Sequence, residues 1–141
     1  MKSFVIVSLT LLTFVLMGCK KEGCTDKDAV NYTADAKKDD GSCTYQTRVS
    51  FWFKESMSNT LVWDGVEILT MYFDDVAQGT IDPANWTPGP DCGGDDFNVD
   101  LNLGSEKSKT ISWTARDQFG NLHSFGTFTI TPNDCMSIEL N

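Results

Sequence analysis

The chain has 141 residues, 20 of them Asp or Glu against 11 Lys or Arg, for a net charge of −9. That acidity removes the electrostatic case for binding nucleic acid and for attraction to anionic lipid headgroups. Five cysteines, one histidine and no Cys-x-x-Cys leave little material for a zinc site.

The first element is a greasy N-terminal run. Lys2 supplies a positive start, and Phe4 to Met17 form an apolar stretch shorter than the ~20 residues that span a bilayer, which is the shape of a secretory signal. Its end, Leu16-Met17-Gly18-Cys19, resembles the bacterial lipobox. In that family a diacylglyceryl group is attached to the Cys thiol, the chain is cut before the Cys, and the new amine is usually acylated. The resemblance implies a lipoprotein signal peptide over residues 1–18, a palmitate-type lipid anchor at Cys19, and the lipid bilayer as partner. One acyl chain binds a membrane only marginally, whereas two or three hold firmly. Removing residues 1–18 takes away one cation, Lys2, so the mature chain carries about −10. Lys20-Lys21-Glu22 is not the acidic run that resembles surface-export signals. The expected location is the outer membrane, with the periplasmic and surface faces both open.

Lipidation would consume Cys19 and leave Cys24, Cys43, Cys92 and Cys135, an even set that in an exported chain reads as disulfides. Four cysteines permit three pairings. Cys24–Cys43 with Cys92–Cys135 is the expected one, because each bridge then closes one module. Residues 19–45 read as a lipid-anchored, Cys-rich acidic linker module, too polar to bury a core and held by its staple and by turns such as Asp40-Gly41. Its pattern, Cys24-Thr25-Asp26 through Asn31-Tyr32 to Asp39-Asp40-Gly41-Ser42-Cys43, resembles a short repeat of secreted and surface proteins of the Bacteroidota. Asp26, Asp28, Asp35, Asp39 and Asp40 are hard oxygen donors in one loop, which raises calcium as a cofactor. The Glu that closes an EF-hand loop is absent, so the competing expectation is an acidic turn whose carboxylates cap backbone N–H groups.

Residues 46–141 change to alternation. Val49, Phe51 and Phe53 share one strand face, with Trp52 on the other. Leu61-Val62-Trp63 is a short apolar run ending at an Asp64-Gly65 turn, and Val66 to Phe73 reads as a strand with Leu69, Met71 and Phe73 inward. Asp74-Asp75 begin a turn towards Gly79-Thr80-Ile81, and 82–94, rich in Pro and Gly, is a long loop. Phe97, Val99, Leu101 and Leu103 alternate strictly. Ile111, Trp113 and Ala115 follow, then a turn at Asp117 to Asn121, then Gly126, Phe128 and Ile130, and last Met136, Ile138 and Leu140. About seven short strands and no convincing helix predict a small antiparallel all-β sandwich. Phrases such as Leu69-Thr70-Met71-Tyr72-Phe73-Asp74, Ser112-Trp113-Thr114-Ala115-Arg116-Asp117 and Cys135-Met136-Ser137-Ile138-Glu139-Leu140 resemble small lipoprotein domains of the same bacteria. They are similar in outline to the transthyretin-like sandwich of carboxypeptidase regulatory domains. That resemblance implies a non-catalytic module.

Few residues could carry chemistry. His123, the sole histidine, would have to centre any Ser-His-Asp triad, and no Gly-x-Ser-x-Gly accompanies it, so a solvated loop histidine is expected. Asp74-Asp75 and Asp95-Asp96 are neighbours in sequence and do not face each other across a cleft as glycosidase carboxylates do. Asp91 to Asp96, with Gly93 and Gly94, reads as turn geometry ahead of a metal loop. Trp52, Trp63, Tyr72 and Trp86 are the remaining candidates. An exposed strip of Trp52, Trp63 and Trp86 would make a glycan-binding accessory module, whereas the alternative is that these rings cover a thin core. The chain is therefore expected to be a membrane-anchored, non-catalytic binding or structural module for an unknown protein or glycan, with a glycan-binding module second and a hydrolase third.

Overall fold

The computed structural model describes residues 20–85, 92 and 97–141. Cys19 and Trp86 lie outside them. Seven strands and one helix follow in order: β1 (Tyr45–Phe53), α1 (Glu55–Trp63), β2 (Leu69–Phe73), β3 (Val76–Ile81), β4 (Phe97–Gly104), β5 (Lys109–Asp117), β6 (Leu122–Ile130) and β7 (Cys135–Leu140). They form two sheets, β4-β1-β7 and β3-β2-β5-β6. This is a small all-β sandwich with two disulfides.

The alternation read from the sequence sets the faces. Val49, Phe51 and Phe53 of β1 are buried, as are Leu69, Met71 and Phe73 of β2, Ile111, Trp113 and Ala115 of β5, and Phe128 and Ile130 of β6. All strand pairs are antiparallel except β1 with β7, which run parallel from Arg48↔Cys135 to Phe53↔Leu140. A parallel neighbour needs a long connection. Here it is the whole of the chain between the first strand and the seventh.

Two local expectations are corrected. Leu61-Val62-Trp63 is the last turn of α1 rather than a separate run, and Val66 to Ile68 precede β2. α1 has no side-chain N-cap and only Ser58 and Leu61 buried, so its sequence gives little helical signal. Nine residues are marginal as an isolated helix; here the ends are tied down. Gly65 N–H donates to the Val62 carbonyl and Val66 N–H to the Leu61 carbonyl, with Gly65 at φ 76°. This is a Schellman cap, and its apolar contact is Leu61 with Val66, which cluster with Leu69. The Ser58 hydroxyl donates to the Pro83 carbonyl at 2.6 Å. The second correction is at the hairpin: Asp74 and Asp75 both have positive φ, 45° and 65°, and pair Phe73 directly with Val76. They make a two-residue turn of the I′ kind, so β3 begins at Val76, ahead of Gly79.

The module over residues 20–44 is docked onto the sandwich. Cys24, Ala29 and Cys43 are buried in the same cluster as Tyr45, Val49 and Phe51. Cys24 and Cys43 are bonded with Cα atoms 4.8 Å apart, and Cys92 is bonded to Cys135 with Cα atoms 6.0 Å apart. Both bridges are the pairs expected from the sequence. The module is thus less a linker than a patch on one end of the core.

Trp113 lies opposite Gly126 in the β5–β6 ladder, and its ring occupies the space a side chain there would take. A Cβ on Gly126 would sit 3.0 Å from Trp113 Nε1. Gly126→Ala should therefore cost about 1–3 kcal/mol through overpacking, read as a lower urea midpoint with an unchanged slope.

Candidate functional site

One cleft gathers polar groups of mixed kind. It has a volume of about 490 Å³ and lies between α1 and the adjoining edges of β6 and β7, within the ~300–1,000 Å³ range of small-molecule sites. Met57, Thr60, Leu61 and Asp64 recur at helical spacing and turn one face of α1 to it, while His123, Glu139 and Leu140 close the other side. Lys54 and Glu139 form an ion pair of 2.7 Å in its lining. A cation, two carboxylates, an imidazole and the hydroxyls of Ser56 and Thr60 thus border a partly apolar floor.

His123 is organised by Asp117. Its Nε2 lies 3.1 Å from Asp117 Oδ2, and its side chain is mostly buried. The same carboxylate accepts from Phe119 N–H, Asn121 N–H and Asn121 Nδ2. Burial alone would raise the Asp117 pKa, but the His123 and Asn121 side-chain hydrogen bonds and the two backbone ones hold it well below the usual carboxylate range. The histidine is therefore a fixed member of the hairpin, not the solvated loop residue expected. Among the described residues its ring meets a carboxylate and no hydroxyl, so the Asp–His half of a relay stands without a nucleophile bonded to it.

The hairpin is also clamped to α1. Gln118 Nε2 donates to the Gly65 carbonyl at 2.9 Å, and Gln118 Oε1 accepts from Glu67 N–H at 3.2 Å. This holds two large rings at one end of the molecule: Trp63 is 89% exposed and Phe119 79%. Phe119 sits in a turn, outside every alternating apolar pattern of the sequence. An aromatic beside Gly120 in a polar hairpin was the available signal.

Of the tryptophans named from the sequence, Trp52 and Trp63 are described, and they sit on different elements. Trp52 is half-buried on the outer face of the three-stranded sheet, opposite Glu139. Trp63 ends α1, and Tyr72 points outward from the other sheet. The acidic module is likewise committed elsewhere. Asp26 pairs with Lys107, accepts the Tyr45 hydroxyl at 2.7 Å and takes Asp28 N–H at 3.0 Å. Asp39 and Asp40 cap Gly41 N–H and Ser42 N–H, both at 2.9 Å, and Asp35 faces Lys21. Among the described residues no three acidic, His or Cys side chains converge as a metal site, so Asp26, Asp28, Asp39 and Asp40 are not brought together for calcium.

The chain matches no protein-family model, no curated protein and no solved structure.

The Asp26 contact carries a pH signature. The Lys107 hydrogen bond first, then those from Tyr45 and Asp28 N–H, hold its carboxyl down to about 2 from an ordinary 3.8. A folded-state value below the unfolded one stabilises fully above the unfolded pKa and is lost as pH falls through the folded pKa. Acidification from about pH 5 to about pH 2 should therefore lower the thermal midpoint more in the natural chain than in Asp26→Asn. Parallel curves for the two would remove the linkage.

Proposed function

We propose that the chain is an exported lipoprotein, held at an outer membrane by acyl groups on Cys19, whose sandwich is a non-catalytic binding module. The observation that carries the export and anchor reading is the cysteine accounting. Two disulfides use Cys24, Cys43, Cys92 and Cys135, which leaves Cys19 as the one thiol for lipid. Stable structural disulfides belong to oxidising compartments. Metabolic labelling with palmitate should mark the chain and fail in Cys19→Ser, and globomycin should leave unprocessed precursor. Unchanged labelling in Cys19→Ser would overturn the anchor.

The binding surface is the cleft beneath α1. Its support is an open, polar-bordered cleft lined as far as Asp64 at the end of α1, with the neighbouring Trp63, a large apolar side chain, left in water. A soluble glycan is the favoured occupant class, since a sugar offers hydroxyls to Ser56, Thr60, Asp64 and His123 and C–H faces to a ring. The sole histidine gives an isolated pair of ring-proton signals, so it reports on the cleft directly. Titrating soluble oligosaccharides into the full chain in detergent should move those signals. If no sugar moves them, the cleft is not the site.

A further inference from the structure

We propose that the outer face of the four-stranded sheet is a platform for an uncharged, extended β-linked polysaccharide. The inference does not rest on the cleft or on the anchor. It starts from charge. In a chain with 20 acidic residues, β2, β3, β5 and β6 together hold one carboxylate, Asp117, and that one is buried. Asp74, in the turn at the sheet's margin, is tied to Ser112 N–H and Oγ at 3.0 and 2.9 Å. The opposite sheet is built differently. Its outer face carries Asp100 paired with Arg48 and Glu139 paired with Lys54, Ser50 is fully buried, and Cys92 receives Arg48 at its carbonyl. Acidity has been kept off one face and not off the other.

Register then sets what that carboxylate-free face presents, its one cation, Arg116, being tied through Nη1 to the Gly120 carbonyl at 3.0 Å. Tyr72 is opposite Thr114, and Thr114 is opposite Phe125, so the two rings flank one threonine in a single transverse row. Strands lie about 4.8 Å apart, which places the two aromatic positions roughly 9–10 Å from each other. That is the separation of every second ring in an extended β-linked hexose chain. Phe125, on the edge strand β6, is 71% exposed, a large apolar group left in water at the end of the row. The next row on one side pairs Thr80 with Thr70 and Thr70 with Arg116; on the other, Ser112 pairs with Thr127. Among the described residues the hydroxyls of Thr70, Thr114 and Thr127 make no hydrogen bond, whereas those of Thr110 and Thr129 bond each other. Hydroxyls that both donate and accept, set on either side of two rings, match a sugar chain that offers C–H faces in its middle and hydroxyls along its rims.

The experiment incubates the full chain, in mild detergent, with washed microcrystalline cellulose and chitin, and with starch granules as the α-linked control. The expected result is depletion by a β-linked polymer and not by starch, unaffected by about 1 M salt because the polymer is uncharged and gives Arg116, the one cation of the face, no charge to pair with. Phe125→Ala and Thr127→Glu should each weaken binding about tenfold or more; Phe125→Trp should retain it. Both positions are exposed, so far-UV circular dichroism and intact disulfides should match the natural chain. Four outcomes would overturn the platform: no depletion by either β-linked polymer, equal depletion by starch, loss in high salt, or full binding by Phe125→Ala. Loss in Trp63→Ala with retention in Phe125→Ala would also overturn it, while moving the ligand to the cleft and leaving the binding-module reading intact.

Discussion

The ring of Phe51 meets four others, one from each of four different strands. Its centroid lies 5.6 Å from Phe73 of β2, 6.5 Å from Phe97 of β4, 5.2 Å from Trp113 of β5 and 6.2 Å from Phe128 of β6. Phe73 and Phe128 close the group at 5.4 Å, nearly edge to face. Such pairs add about 0.5–1.5 kcal/mol each beyond their buried area. Because Phe51 sits on the central strand of one sheet and three of its partners on the other, this one side chain fixes how the sheets face each other. Everything functional is registered to it: Tyr45 at the start of β1 carries the docked module, and Lys54, just past its end, opens α1 and the cleft.

The acidic residues do local structural work. Asp39, Asp40, Asp74, Asp82 and Asp117 all accept backbone N–H groups in turns, the habit that makes Asp a turn former. Asp40 is held below the ordinary carboxylate range by the Ser42 hydroxyl and N–H, Asp74 by the Ser112 N–H and hydroxyl, Asp117, against its burial, by the His123 and Asn121 side chains and then backbone N–H groups, and Asp100 by Arg48. A chain with net charge −9 therefore keeps its carboxylates in loops and on one sheet, and the other sheet presents no carboxylate on its outer face, only the cation of Arg116. Charge segregation, not total charge, distinguishes the two faces.

Much of the sandwich was legible because strands with one buried face alternate, and β1, β4 and β5 do so plainly. The disulfide pairing was legible from loop closure. α1 was not: Glu55 to Trp63 lacks a side-chain cap and a clean apolar stripe, and only the Schellman geometry at Gly65 marks its end. The cleft was illegible for a deeper reason. It joins residues 54–64 to residues 123–141, and no local pattern announces that juxtaposition. Asp117 and His123 could be seen separately, as turn former and lone histidine, but their contact depends on a hairpin whose register slips by one residue beside Arg116. The Tyr72–Thr114–Phe125 row is likewise invisible until cross-strand register is known.

The parallel pairing of β1 with β7 has a temporal consequence. Hairpins β2–β3 and β5–β6 join neighbours in sequence and can form as soon as their turns exist, whereas β1 gains its second partner only when the last strand is present. Contacts of such long sequence separation are the slow ones in folding. A chain delivered amino end first thus waits with its central strand half-paired, and Cys92 finds Cys135 at the very position where that closure begins, opposite Arg48. Completion of the sheet and oxidation of the second bridge become one late event, a latch that shuts only after the whole domain has emerged.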